Sequence, residues 1–296
     1  MWDAPLTAGS TGRDIVEFTL QVHEEGTVAF VLDPTAPVSP EVRRVVDERL
    51  SEAISILERL EGADADDIER AVHDVRKRCK EVRSVARLVR SSIGDEYGKF
   101  NGRVRDAADA LAPIRDAHAV LGTFDDLRAA RDRDDDADLA RVRAGQERAA
   151  DEATRTVHGG DPRIERALKL LVAARKRVKR WKLDDGFTTL APGIEDSYRR
   201  GRRALRDARA KPSDDRLHEW RKSVKHLWYQ TRLIERVAPS ALAPLVASLD
   251  DLAEALGDDH DLVVLVERLT ADPERFGGTD NVEHARHLAR LQQDDL

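Results

Sequence analysis

A single cysteine, Cys79, is all the thiol this 296-residue chain carries, so an intrachain disulfide cannot form and a thiolate metal cluster is excluded. Aromatic residues are scarce at 4%, which speaks against the stacking platforms of single-strand nucleic-acid binders. Positive charge is not in excess either. Fifty Lys and Arg face 57 Asp and Glu, a net of −7, so the chain as a whole does not read as a nucleic-acid binder. No apolar run is long enough to cross a bilayer, and no basic-then-apolar leader is seen, which makes the cytoplasm the expected location.

What remains is charge and small aliphatic side chains. Charged residues make up 36% and hydrophobic ones 41%, the latter mostly Ala, Val and Leu, a mixture suited to long solvated helices. Arg outnumbers Lys 40 to 10, as a high-GC genome or a salt-adapted cell would each produce. The length allows one large domain or two ordinary ones.

Residues 1–38 stand apart. VEFTLQV (Val16 to Val22) and TVAFVLD (Thr27 to Asp33) alternate apolar and polar, which predicts a β-hairpin or an extended arm. DPTAPVSP closes it and offers Ser39 as a helix N-cap. From there the period is helical: one helix ends near Gly62, and a second begins in the acids after it and ends near Gly94. Further helices are expected at Tyr97 to Leu111, Arg115 to Ala129, and, strongly basic, Arg163 to Trp181. The charged piece Arg131 to Gly160 reads as a solvated helix or a connector. Helices over Phe187 to Arg209, Ser213 to Val237, Ser240 to Leu256, Asp259 to Leu269 and Asn281 to Leu291 complete the set.

VHDVRKRCK, starting at Val72, returns as LHEWRKSVK, starting at Leu217. His73, Arg76, Lys77 and Lys80 match His218, Arg221, Lys222 and Lys225 at one offset of 145 residues. The same offset pairs Leu111 with Leu256, Asp116 with Asp261 and Val120 with Leu265. One register joining two separated motifs implies an internal duplication: an all-α protein of two pseudo-symmetric helical bundles, at 39–160 and 161–296.

On a helical wheel, Val72, Val75, Cys79, Val82, Ala86 and Val89 form a packing seam, and Cys79 on it reads as a buried hydrophobe, not a nucleophile. His73, Arg76, Lys77, Lys80, Arg83, Arg87 and Arg90 fall on an adjacent strip about 110° away. The second copy has its seam at Leu217, Trp220, Val224, Leu227, Thr231 and Ile234, and its strip at His218, Arg221, Lys222, Lys225 and Arg232, with Trp228 in place of one arginine. Like charges at i, i+3 and i+4 repel by a few tenths of a kcal/mol per pair, so helix stability alone would not select such sorting. A single basic face is usually just solvated. Two in register, with the basic helix 163–182, favour a polyanion site, and the shortage of aromatics favours a ligand that is nearly all phosphate.

At these residues the sequence resembles the CHAD family, the conserved-histidine α-helical domain. HDVRKRCKEVR and HEWRKSVKHLW look like its two signature helices, RDAHAV (115–120) and LGDDHDLVVL (256–265) like its paired Arg/His-Asp turns, and SYRRGRRAL (197–205) like the helix before the second signature. The resemblance spans roughly residues 39–270 and leaves the N-terminal arm outside. It implies a basic channel between two bundles that binds inorganic polyphosphate without catalysis or cofactor. The implied binding set is His73, Arg76, Lys77, Lys80, His218, Arg221, Lys222 and Lys225, followed by Arg83, Arg87, Arg202, Arg203 and Arg232. Trp228 and Glu235 depart from the first copy, where Arg83 and Arg90 stand, so the second strip is expected to be shorter. Implied partners are polyphosphate itself and a polyphosphate-metabolising enzyme, with granule association as a consequence; the ExExK signature of the hydrolases that accompany such domains is not found in this sequence.

Three rivals are weighed against this. A metal site at His73, His118, His218 and His260 would need further ligands at i+3 or i+4, where His73 and His218 have Arg and Lys. A polyphosphate- or triphosphate-processing enzyme would need a phosphate loop or a metal-holding acid pair, and Asp116 and Asp261 read better as helix N-caps or arginine partners. A nucleic-acid scaffold could use the same strips. Tyr198 is assigned to packing between helices.

Overall fold

The computed structural model describes residues 30–296 apart from 61, 132–135, 156 and 158–160. Among the described residues every regular element is helical: ten α-helices and three 3₁₀ turns. The expected hairpin at 16–33 lies outside the described residues except for its last four. Those four dock. Phe30 meets Tyr229 edge-on at 6.1 Å and Leu32 N donates to Leu233 O at 2.8 Å.

Helices α1 (Val38–Glu58), α2 (Ala65–Leu88), α4 (Asp95–Ala130) and α6 (Pro162–Val178) pack in a ring, each against two others, as a four-helix bundle; a single turn, α3 (Arg90–Ile93), links α2 to α4. The seam predicted on α2 is the core: Val72, Val75, Cys79, Val82, Ala86 and Val89 are all essentially inaccessible. They meet Val42, Val46 and Leu50 of α1, Phe100, Val104 and Leu111 of α4, and Leu171 of α6. Burying a Val, Leu or Phe side chain contributes about 1.5–3 kcal/mol, so spacings of three and four in these helices suffice to choose this face. Trp181 closes the end, edge-on to Phe100 at 4.9 Å. Cys79 is buried as expected, and burial pushes its thiol up to about 12. Since α6 completes this ring, the expected break at 160/161 falls inside one core.

Between α1 and α2 lies a buried ionic group. Glu52 accepts from Arg49 and Arg78 at 2.7 Å each, while Glu81 stands 3.5 and 3.6 Å from the same two arginines. Glu81 thus faces away from the predicted strip, and burial raises its pKa despite both cations.

The second set is a layer. Helix α7 (Ala191–Ala210) packs on α8 (Asp214–Leu233), which packs on α9 (Pro239–Ala271). The layer joins the bundle where α8 and α7 meet α2: Ser84 Oγ lies 3.0 Å from His226 Nδ1, and Gln230 Nε2 donates to Ser84 O at 3.2 Å. Gly193 makes the approach possible, because a Cβ there would come within 1.9 Å of the Leu88 carbonyl oxygen. A smaller core joins the far ends of α4 and α9 to α5 (Ala137–Arg155) and α10 (Thr279–Asp295), around Phe124, Leu139, Leu265 and Leu288. The charged piece 131–160 therefore contains a helix with one buried face, not a connector alone.

Three boundary expectations fail. Tyr97–Leu111 and Arg115–Ala129 are one helix, α4, with Pro113 inside it; the proline is exposed, so the carbonyl it leaves unbonded is not sealed in the core. Ser240–Leu256 and Asp259–Leu269 are likewise one helix, α9. Asp116 and Asp261 are mid-helix and cannot be N-caps. Ser39 is not a cap either: α1 starts at Val38, and the Ser39 amide donates to Asp185 Oδ1 at 3.0 Å, a cap supplied from 146 residues away.

Candidate functional site

The strip on α2 borders its packed seam, which turns the cations toward neighbouring helices. Arg76 Nη1 donates to the Ala108 carbonyl of α4 at 2.5 Å, with Asp116 at 3.9 Å from Nη2. Asp116 is therefore an arginine partner, one of the two roles predicted for it. Arg83 Nε donates to Asn101 Oδ1 at 3.0 Å. Arg87 keeps a buried Nε with no acceptor.

Lys80 stands where three helices meet. Lys80 is exposed there. Desolvation by the neighbouring helices, followed by the charges of Arg115 on α4, Arg76 on α2, and Arg221 and Lys225 on α8, pushes its pKa down to about 8. The two repeated strips thus reach each other's field here. His73 sits beside the same group: its pKa is lowered by burial first and then by Arg115, with Lys80 and Lys77 adding.

On α8 the arrangement is looser. His218 lies against His260 of α9, ring centroids 4.0 Å apart and tilted 37°. Burial lowers both pKa values, with His260 the next contributor for His218 and Arg221 the next for His260. The Arg221 guanidinium lies over Gly257, where a Cβ would be only 3.4 Å from Nη2. Lys222 pairs with Glu219 on its own helix. Lys225 stands 3.8 Å from Asp250 and 4.5 Å over the Trp228 ring, with a second cation, Arg232, at 5.4 Å. Trp228 is buried, so it forms an apolar floor under two cations.

A second gathering surrounds His226, the acceptor or donor partner of Ser84. Burial, then Arg87, Arg83, Lys222 and Arg200, depress its pKa to about 3, so it is neutral at ordinary pH. Arg203 shares a face of α7 with Arg200, one turn on, and is exposed. Arg202 turns the other way. It lies over Tyr198 at 5.9 Å and donates to its hydroxyl at 3.2 Å. Tyr198 is 52% exposed and does not pack between helices, contrary to expectation, because its face of α7 looks outward.

Four residues at these gatherings were absent from the predicted set: Arg115, Arg200, His226 and His260. Arg115 and His260 had a signal, since they occupy the same place in the 145-residue register and each adjoins its strip's histidine. Arg200 and His226 had none, because only the crossing of α2 with α7 and α8 brings them in.

The four histidines of the metal rival do not assemble. His118 faces Glu69 at 3.5 Å, and only His218 and His260 meet. Among the described residues, Asp136, Asp138 and His284 could share an ion, with ligand atoms all within 4.8 Å. Each already has local work: Asp136 Oδ1 accepts from the Asp138 and Leu139 amides, Asp138 pairs with Arg141 at 2.6 Å, and His284 is 3.8 Å from Asp136. No helix among the described residues is long and apolar enough to cross a membrane.

No curated protein matches the chain. Among solved structures, it is similar to the crystal structure of the CHAD domain from the plant Ricinus communis, with a TM-score of 0.61 and 17% identity over 90% of each chain, which shows a common fold. A family model described as the CHAD domain matches residues 42–270, and with most of the chain inside that match, this protein belongs to the CHAD family.

Proposed function

We propose that this protein binds inorganic polyphosphate, without turning it over, along the facing strips of α2 and α8. One observation carries the reading. Lys80 collects the fields of Arg76, Arg115, Arg221 and Lys225, from three helices, and these cations are the strongest charges acting on it. Cations held together in a partly enclosed place raise the free energy of the empty protein, and a chain of phosphates removes that cost. Arg supplies forked donors and Lys a point charge, with no need for a base reader. The binding set is His73, Arg76, Lys77, Lys80, Arg83, Arg87, His218, Arg221, Lys222 and Lys225, with Arg115, His260 and Arg200 added. Arg203 and Arg232 lie at the margins and Arg202 faces outward.

We also propose that the two strips descend from one duplicated unit. Supporting this, Arg115 and His260 keep the same register and the same neighbour, the leading histidine of each strip. Cytoplasmic location, attachment to polyphosphate granules and cooperation with a polyphosphate-metabolising enzyme are parts of the same proposal.

The test is isothermal titration with polyphosphate of defined length, for wild type and for Lys77→Glu with Lys222→Glu, two exposed positions. Binding should vanish in the double reversal with helical content unchanged. Undiminished affinity at the same salt would overturn the assignment. Shortening of the polymer on incubation with Mg²⁺ would overturn binding without turnover, and stronger retention of single-stranded RNA in competition would favour a nucleic acid.

A further inference from the structure

Helices α2 and α8 cross in a way that repeats on its two sides. In the 145-residue register Glu81 matches His226, Ser84 matches Tyr229, Lys77 matches Lys222 and Arg87 matches Arg232. On one side His226 Nδ1 lies 3.0 Å from Ser84 Oγ, and the strongest charges acting on the ring are Arg87, Arg83, Lys222 and Arg200. On the other side Glu81 acts on Tyr229, while Arg49, Arg78, Arg232 and Lys77 act on Glu81. Arg232 and Lys77 thus stand to Glu81 as Arg87 and Lys222 stand to His226.

The sides differ in what faces the cations. Glu81 sets a carboxyl group among them, 3.5 and 3.6 Å from Arg49 and Arg78. At the matching position His226 offers a neutral ring and no acid. Arg200 is held by Asp196, Lys222 by Glu219, and Arg83 donates to Asn101. Arg87 forms no ion pair among the described residues, and its Nε is buried without an acceptor. Access differs as well: Glu81 is 1% exposed, whereas His226, Arg83 and Arg87 are partly open and Lys222 and Arg200 are exposed. Cations drawn together under partial desolvation repel one another, and a buried donor without an acceptor is costly. An anion entering from water relieves both.

We infer that the His226 side of the crossing binds one phosphate group, in the place that the Glu81 carboxyl group takes on the other side. The Ser84 hydroxyl donates to His226 Nδ1, which puts the ring proton on Nε2, an atom with no protein partner among the described residues, for a phosphate oxygen to accept. A neutral ring donates without adding to the repulsion among the cations. Arg87 supplies its unsatisfied Nε and the rest of its fork, and Arg83, Lys222 and Arg200 supply charge. The group is free orthophosphate or one unit of a bound polymer. The second case rests on the polyphosphate reading above and adds to it His226 as a ligand and a fixed seat for one phosphate.

His226→Glu sets an acid where the ligand is expected, and His226→Gln keeps a neutral donor. Both variants and wild type are titrated with orthophosphate and with polyphosphate. Affinity for each should fall about tenfold or more in His226→Glu, the worth of one charge-assisted bond, and be nearly kept in His226→Gln. A measurement on wild type alone accompanies this. With imidazole nitrogens isotope-labelled, the His226 resonance, known by its absence from His226→Gln, should report a protonated Nε2 and shift when orthophosphate is added. Equal affinities in wild type and His226→Glu, an equal loss in both variants, or an orthophosphate response confined to other histidines would overturn the site. Polyphosphate binding that leaves His226 unmoved removes the site and spares the polyphosphate reading. Orthophosphate binding at His226 with no added affinity for the polymer does the reverse.

Discussion

Helices α2 and α8 carry the same His, Arg, Lys and Lys at the same spacing and use them differently. The α2 copy is driven into a core: its whole seam is inaccessible, and its cations donate to backbone and amide acceptors on α4. The α8 copy lies in a layer, its seam half-exposed at Leu217, Trp220 and Leu227. Its lysines are shared with Glu219 and Asp250 or rest on Trp228. One sequence motif thus yields a rigid, acid-poor wall and a softer, partly compensated one. Orientation is set by what each seam packs against, and charge strength by which acids the neighbouring turns supply.

Removing charge from each wall should break this symmetry most visibly. Arg76→Ala with Lys80→Ala should weaken polyphosphate binding at least about a hundredfold, because charge-assisted bonds are worth about 1.5–3 kcal/mol each. Lys222→Ala with Lys225→Ala should cost nearer tenfold, since carboxylates already satisfy part of those charges. Equal losses by titration would erase the distinction between the walls.

Stability separates the two helices next. Leu88→Ala, at a fully buried position beside the seam at the end of α2, should lower unfolding free energy by about 2–5 kcal/mol in a denaturant titration. Leu227→Ala on the half-exposed α8 seam should cost about 1 kcal/mol. Comparable midpoints for the two variants would show that α8 is as tightly packed as α2.

The smallest contrast is in pH. With an apo pKa of about 8, the Lys80 ammonium is fully charged well below that value and is lost above it, so affinity should decline as pH rises past about 8. Lys80→Arg should flatten that limb. In the acid direction the sign is the same: His73, His218 and His260 have lowered pKa values in the empty protein, and bound phosphate favours their charged forms, so affinity should rise further as pH falls through the imidazole range. A flat profile from pH 6 to 9 would remove both lysine and histidine from the site.

Much of this was written in the chain. Spacings of three and four named the buried residues of α2, because only one face of a helix can leave water, and the 145-residue register picked out both cation strips and, implicitly, Arg115 and His260. Local punctuation was less informative. Pro113 and the acids of LGDDHD look like breaks, yet α4 and α9 run through them, since tertiary contacts on both sides outweigh one missing bond. Nothing in the order of residues could place Arg200 and His226 beside Arg83 and Arg87, send Arg202 outward, or hand the Ser39 amide to Asp185. The gathering of Arg200 and His226 with Arg83 and Arg87 arises only when α7 and α8 cross α2 at Gly193 and Ser84, because the Coulomb field of a charge depends on distance in space and not on distance along the chain.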